Sequence, residues 1–292
     1  MSRSFAAALL VSALACAGPA RAQNPFPTWI DGGNCAVEPR MQIFQYDPDT
    51  YVLRQSMCTN YEGPFLYLLF GEDKVLMEDS GAFASPALPI KRYVGRVIQS
   101  WLVAHGRTSI ELVVAHSHAH GDHTAYDAAL STLPNTTVVG TSASAVQAFF
   151  GITSWPTQTV AYDLGGRIVD VIPIPGHQAA HIALYDRDTR LLLTGDTLYP
   201  GRLYINDFAA YRASVQRLVD FTATREVAWV LGTHVEMQNV PGQQFPLGST
   251  FHPNEHPLQL SRGHLLELLG GLNGMQASPH IEVHADFVIY PL

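Results

Sequence analysis

The chain has 292 residues, 47% of them hydrophobic and only 14% charged, so it can bury a sizeable core and reads most simply as one large domain. Its formal net charge of −8 disfavours a nucleic-acid partner, which would need a basic face, so nucleases fit poorly. Residues 1–22 join one early basic residue, Arg3, to an apolar run from Phe5 to Cys16 and the small-residue site Ala20-Arg21-Ala22. That is the pattern of a secretory signal peptide cut before Gln23, which implies a periplasmic or secreted protein whose domain spans 23–292. The run is short for a transmembrane anchor, and no other segment offers one. Cleavage before Cys16, with a lipid on that cysteine, is the lipoprotein alternative. After export Cys35 and Cys58 are the remaining thiols, a candidate disulfide in an oxidising compartment, or else two buried free cysteines.

In chain order, residues 23–41 carry Pro25, Pro27, Gly32 and Gly33 and predict an extended arm pinned by Cys35. Strands are predicted at 43–45, 51–54, 65–70 and 75–77, with hairpin turns at Asp47-Pro48-Asp49 and Gly71-Glu72-Asp73. Between 90 and 105, Ile90, Tyr93, Val94, Val97, Ile98, Trp101 and Leu102 recur at helical spacing, which predicts an amphipathic helix ended by Gly106. A short apolar, β-branched strand at 112–115 follows, then a helix at 124–130, a strand at 137–139 and a helix at 142–150. Further strands are predicted at 168–174, 182–185 and 191–193. Asn206 or Asp207 caps a helix whose inward face is Phe208, Tyr211, Val215, Leu218 and Val219. A strand at 227–231, a loop at 235–254 long enough to be functional, a helix from Pro257 to 269 and a strand at 281–290 complete the chain.

The strand at 112–115 stops where potential metal ligands begin. His118, His120, Asp122 and His123 form His-x-His-x-Asp-His, with Gly121 expected to turn the backbone sharply between the two pairs. Imidazole and carboxylate without thiolate suit zinc, and also iron or manganese. With this pattern the chain resembles the metallo-β-lactamase superfamily. Pro175-Gly176-His177, Thr194-Gly195-Asp196-Thr197 and Gly232-Thr233-His234 look like that family's later ligand segments, in the same order. Glu78-Asp79-Ser80-Gly81 looks like its early Asp-Thr-Gly turn, with serine for threonine. The resemblance runs from about residue 65 to 234 and implies an α/β (α+β type) fold, the four-layer αββα sandwich.

The resemblance also implies a dinuclear centre. His118, His120 and His177 would hold one divalent ion and Asp122, His123 and His234 a second, with Asp196 bridging; zinc comes first, then iron or manganese. A hydroxide between the ions would attack a carbonyl carbon of a small-molecule acyl substrate, and Asp122 would orient it. Lactamases of this family carry cysteine or serine near position 196, whereas its thioesterases and lactonases carry aspartate. The expected substrate is therefore an ester, lactone or thioester, with a β-lactam as the alternative. A mononuclear iron persulfide dioxygenase using His118, His177 and Asp196 is a further alternative, opposed by the complete second ligand set.

Tyr199 resembles the lactonase-branch tyrosine that hydrogen-bonds the substrate carbonyl, so its phenol is expected to stabilise an oxyanion; Tyr204 is a second candidate. Asp79, His116 and His181 are expected around the ligands, Asp79 to fix a histidine tautomer. Histidines 252, 256, 264, 280 and 284 fall in no metal pattern. Lys74 and Lys91 are the chain's only lysines, so no basic patch is expected for the carboxylates of a glutathione thioester.

Overall fold

A strand that is apolar at every position has to be covered on both faces, and Phe65–Phe70 is buried throughout. Phe65, Tyr67 and Leu69 enter one core cluster while Leu66, Leu68 and Phe70 enter another, the two-residue alternation of a pleated strand. The computed structural model, which describes residues 25–85 and 87–292, repeats this pattern through two six-stranded sheets. The segment read as a signal peptide, Cys16 included, lies outside the described residues.

The first sheet is β1 (Met41–Asp47), β2 (Thr50–Gln55), β3 (Phe65–Phe70), β4 (Lys74–Glu78), β5 (Glu111–Ala115) and β6 (Thr136–Val138) in that spatial order. It is antiparallel as far as β4 and parallel from β4 to β6. The second sheet holds β7 (Val160–Asp163), β8 (Ile168–Pro173), β9 (Ile182–Asp186) and β10 (Leu191–Gly195). The chain then leaves it for β11 (Arg202–Ile205) and returns as β12 (Trp229–Gly232), parallel to β10, and β13 (Gln259–Leu260). Strand β11 pairs with the end of the chain, parallel to β15 (Val288–Pro291), which is antiparallel to β14 (Glu282–Val283).

Between the sheets, Val169, Val171, Ile182, Leu184, Leu191 and Leu193 meet the inner residues of β2, β3 and β5. The outer face of the first sheet is covered by α1 (Ile90–Ala104), whose Ile90, Val94, Val97 and Trp101 are buried. Two single helical turns, α2 (Gly121–Thr124) and α3 (Asp127–Leu130), and the helix α4 (Ala143–Phe150) follow. The outer face of the second sheet is covered by α5 (Phe208–Phe221) and α6 (Arg262–Gly274). Helix, sheet, sheet, helix is the αββα sandwich expected.

Several expected elements are corrected. The helix at 124–130 breaks at Ala125 and Tyr126 into α2 and α3. The last helix starts not at Pro257 but after Ser261, whose side chain caps Gly263 N–H while His264 returns to the Ser261 N–H. Residues 281–290 form a hairpin rather than one strand, and β7, β11 and β13 are additions. Cys35 and Cys58 are bonded at 1.94 Å, tying the N-terminal arm to the β2–β3 loop.

Candidate metal centre

Strand ends deliver the site. The chain leaving β5 carries His118 to His123, that leaving β8 carries His177, that leaving β10 carries Asp196 and that leaving β12 carries His234. The two sheets close on each other at this end. Phe65 N–H donates to the Thr233 carbonyl at 2.8 Å, Ile182 N–H to that of Ser117 at 2.8 Å, and the Tyr67 hydroxyl to that of Gly232 at 2.5 Å. Gly195, at φ +51, lies where a β-carbon would come within 2.5 Å of His181 Nε2 and 2.6 Å of Ser117 Cβ. Only glycine permits that approach.

The seven side chains converge as two groups, His118, His120 and His177 in one, and Asp122, His123, Asp196 and His234 in the other. Within each group the ligand atoms lie within 4.8 Å of one another. His120 Nδ1 is 3.0 Å from His118 Nε2 and 3.1 Å from His177 Nε2. Asp122 Oδ2 is 3.2 Å from His123 Nε2 and 3.3 Å from His234 Nε2. Asp196 stands between the groups: its Oδ2 is 3.7 Å from His118, 3.6 Å from His123 and 3.6 Å from His177, and its Oδ1 is 3.5 Å from His234.

The outward ring nitrogens fix which nitrogen is bare. His177 Nδ1 meets the Tyr204 carbonyl at 2.7 Å and His234 Nδ1 that of Glu62 at 3.0 Å. A carbonyl only accepts, so both Nδ1 atoms carry a proton and both Nε2 atoms face the centre, where a metal would take the lone pair. His123 Nδ1 donates to Asp79 Oδ2 at 2.8 Å. The Ser117 hydroxyl gives its proton to Asp79 at 2.9 Å and accepts from His118 Nδ1 at 3.1 Å. Bare imidazole nitrogens about 3 Å apart repel unless a cation or a proton lies between them, so the donor set fits divalent metal.

Charge follows the same plan. Burial disfavours the charged forms of Asp122 and Asp196, but the surrounding histidines hold both carboxyls well below the usual range. Burial also opposes charge on His234, yet Asp196 and Asp122 push it up to about 10, and Asp79, Asp196 and Asp122 likewise raise His123. Burial lowers His118 and His177. His118 and His177 therefore offer neutral imidazoles, and the other group holds protons that a metal would displace. Glu78, fully buried beside Asp79 without a hydrogen bond to either carboxyl oxygen, is pushed upward by burial and by Asp79.

Other expected residues stand differently. The Tyr199 hydroxyl donates to the Arg202 carbonyl, with Glu236 Oε2 at 3.4 Å, and its ring packs edge-on against His234. Tyr199 also lines the cavity above the ligands. Tyr204 lines the cavity above the ligands, its phenol pushed up to about 12 by burial and Glu236. Nor does His116 support a ligand: β5 ends at Ala115, strand alternation stops there, and the ring reaches Asp127 Oδ1 at 2.8 Å. His181 packs 4.7 Å from the His118 ring and hydrogen-bonds no ligand side chain. Gly121 has no left-handed φ, and a β-carbon there would meet nothing within 4 Å; the turn comes from α2 instead. Ser117 and the carbonyls of Glu62 and Tyr204 were not foreseen. Ser117 lay in plain view between two histidines, whereas a carbonyl leaves no mark on residue type.

Residues 62–234, more than half of the chain, match the sequence model of the Metallo-beta-lactamase superfamily. This chain belongs to that superfamily. A hydroxyacylglutathione hydrolase of Rhizobium meliloti is 31% identical over 152 residues, which are 50% of this chain and 56% of that one. The chain thus spans about half the length of the curated relatives it matches. An acyl-coenzyme A thioesterase of Gallus gallus is 33% identical over 78 residues, 25% of this chain and 28% of that one. Among solved structures, a metallo-β-lactamase from Pontibacter korlensis superposes with a TM-score of 0.53 at 14% identity, covering 80% of this chain and 99% of that one. The mono-zinc metallo-β-lactamase FIM-1 of Pseudomonas aeruginosa gives 0.53 at 15%, covering 83% and 98%. At such identities the superfamily's shared fold is what the superpositions show.

Proposed function

We propose that this member of the superfamily is an exported dinuclear metal-dependent hydrolase acting on a small-molecule ester, lactone or thioester. The observation that carries this reading is the position of Asp196, with a single oxygen 3.6–3.7 Å from histidines of both ligand groups. Divalent ions held by the two groups, zinc before iron or manganese, would supply Lewis acidity and lower the pKa of a water. The chain's own residues do the rest. Asp122, partly exposed to a cavity of about 340 Å³, presents a carboxylate that can orient the attacking water. The outward hydrogen bonds to Asp79, Ser117, Glu62 and Tyr204 keep the ligand rings from turning. A cavity of this size accommodates a small acyl group.

Aspartate at 196 and thioesterase names among the relatives favour ester and thioester chemistry over β-lactams. Export is supported by the pattern of residues 1–22 and by the Cys35–Cys58 disulfide. The deciding experiment compares His118→Ala and Asp196→Ala with the native protein in elemental analysis and in hydrolysis of lactones, thioesters and aryl esters. Both variants are expected to lose metal and activity while keeping the native far-ultraviolet circular dichroism. A fully active His118→Ala protein would sink the assignment.

A further inference from the structure

The cavity has walls as well as a floor of ligands. Glu62, Tyr204, Glu236 and Leu292 line it, and a shallow groove carrying Tyr61 and Leu247 continues beyond Glu62 and Glu236. The two acids differ. Glu236 accepts the Arg202 N–H at 2.7 Å and lies 3.5 Å from the Arg202 guanidinium, so its charge is answered from within the fold. Glu62 forms no ion pair with Lys or Arg among the described residues; its side chain hydrogen-bonds the half-exposed Tyr61 phenol, and it acts electrostatically on His234. Neither lysine approaches: Lys74 starts β4 at the end of the sheet away from the site, and Lys91 on α1 reaches Thr132. The mouth is thus aromatic, with Arg202 committed to Glu236 and Glu62 left without a Lys or Arg partner. Carboxylate and aromatic face both attract a cation, and the carboxylate repels an anion.

We infer that Glu62 selects the substrate by charge, so that the arm running from the reacting carbonyl to the mouth is an ammonium-bearing or neutral group and not a carboxylate. This rests on the hydrolase reading above. In the reaction the acyl carbon gains the oxygen of water, the carbon–sulfur or carbon–oxygen bond breaks, and the thiol or alcohol leaves with one of water's protons. Discrimination acts on the arm and therefore on KM more than on kcat.

The test uses the metal-loaded protein and three thioesters of one acyl group whose thiols end in trimethylammonium, hydroxyl or carboxylate. We expect kcat/KM to fall in that order, the cationic exceeding the anionic substrate by roughly tenfold at low salt and by less as salt is added. Glu62→Gln should narrow that ratio several-fold when each rate is taken relative to the neutral thioester. Turnover with a ratio near one, or a ratio unchanged in Glu62→Gln, overturns the charge selection and leaves the hydrolase standing. Absence of turnover on all three, and on the lactones and aryl esters as well, overturns the hydrolase reading and this inference with it; turnover of those alone overturns the inference.

Discussion

Asp79 occupies φ +67, a left-handed conformation that costs a residue with a β-carbon roughly 1 kcal/mol or more. What holds it there is its carboxylate, which accepts Ser117 N–H at 2.7 Å and faces His123 Nδ1 at 2.8 Å, fully buried. It thereby fixes the tautomer of a ligand in the second group and, through the Ser117 hydroxyl, of His118 in the first. Asp79→Asn keeps the shape but removes the charge that makes His123 a better donor. We expect apparent metal affinity to fall by about 10–100-fold, read as metal retained per chain during a chelator titration. Retention equal to the native protein would show that the tautomers are held without this carboxylate. At this scale the sequence was informative wherever chemistry resides in a side chain, as the spacing of His118, His120, Asp122 and His123 shows. It was silent where a carbonyl or a hydroxyl direction decides, which is why the Arg202 partner of Tyr199 and the part played by Glu62 were overlooked.

Among the elements, those with one strong period were legible and those defined by distant partners were not. The stripe of α1 and the continuous apolar run of β3 each follow from local sequence. Strand β11, by contrast, has only four residues and exists because β15 lies beside it. Its importance is positional, since the Tyr204 carbonyl that orients His177 belongs to it. The β2–β3 loop plays the same part for His234 through the Glu62 carbonyl, and the disulfide anchors that loop four residues earlier, at Cys58. The bond closes a loop spanning 23 positions, for which chain entropy gives a stabilisation of about 2–4 kcal/mol. Cys35 is exposed, so a reductant reaches it. Reduction, or Cys35→Ser with Cys58→Ser, should therefore lower unfolding free energy by about that amount in urea and raise amide exchange across 56–63. An unchanged midpoint would mean that the arm is held by its aromatic packing alone.

For the whole molecule the issue is what keeps two sheets in register far from the metal end. Arg167, at the start of β8, answers it from the second sheet. Its Nε and Nη2 donate to Asp186 at 2.9 and 2.6 Å, while its other protons go to the Asp49 carbonyl at 2.7 Å, the Phe70 carbonyl at 3.1 Å and the Thr50 hydroxyl at 2.7 Å, all on the first. The pair is buried, so desolvation opposes the charge on Asp186, but Arg167 and Thr189 together hold its carboxyl below the ordinary value. A depressed folded value has a definite sign. The contribution is complete above the unfolded carboxyl's value of about 4 and is lost as pH falls through the lower, folded one. Urea unfolding of the metal-free protein should therefore show stability declining below about pH 4, and Asp186→Asn should flatten that decline. The same variant should lose about 3–5 kcal/mol at neutral pH, because it strands the guanidinium between the sheets. Pairing Arg167→Met with Asp186→Leu removes both charges and should cost less than the single change, since no buried ion is then left unanswered. If Asp186→Asn proved as stable as the native chain with an identical acid limb, the sheets would be held by the apolar layer between them, and Arg167 would be a passenger at its edge.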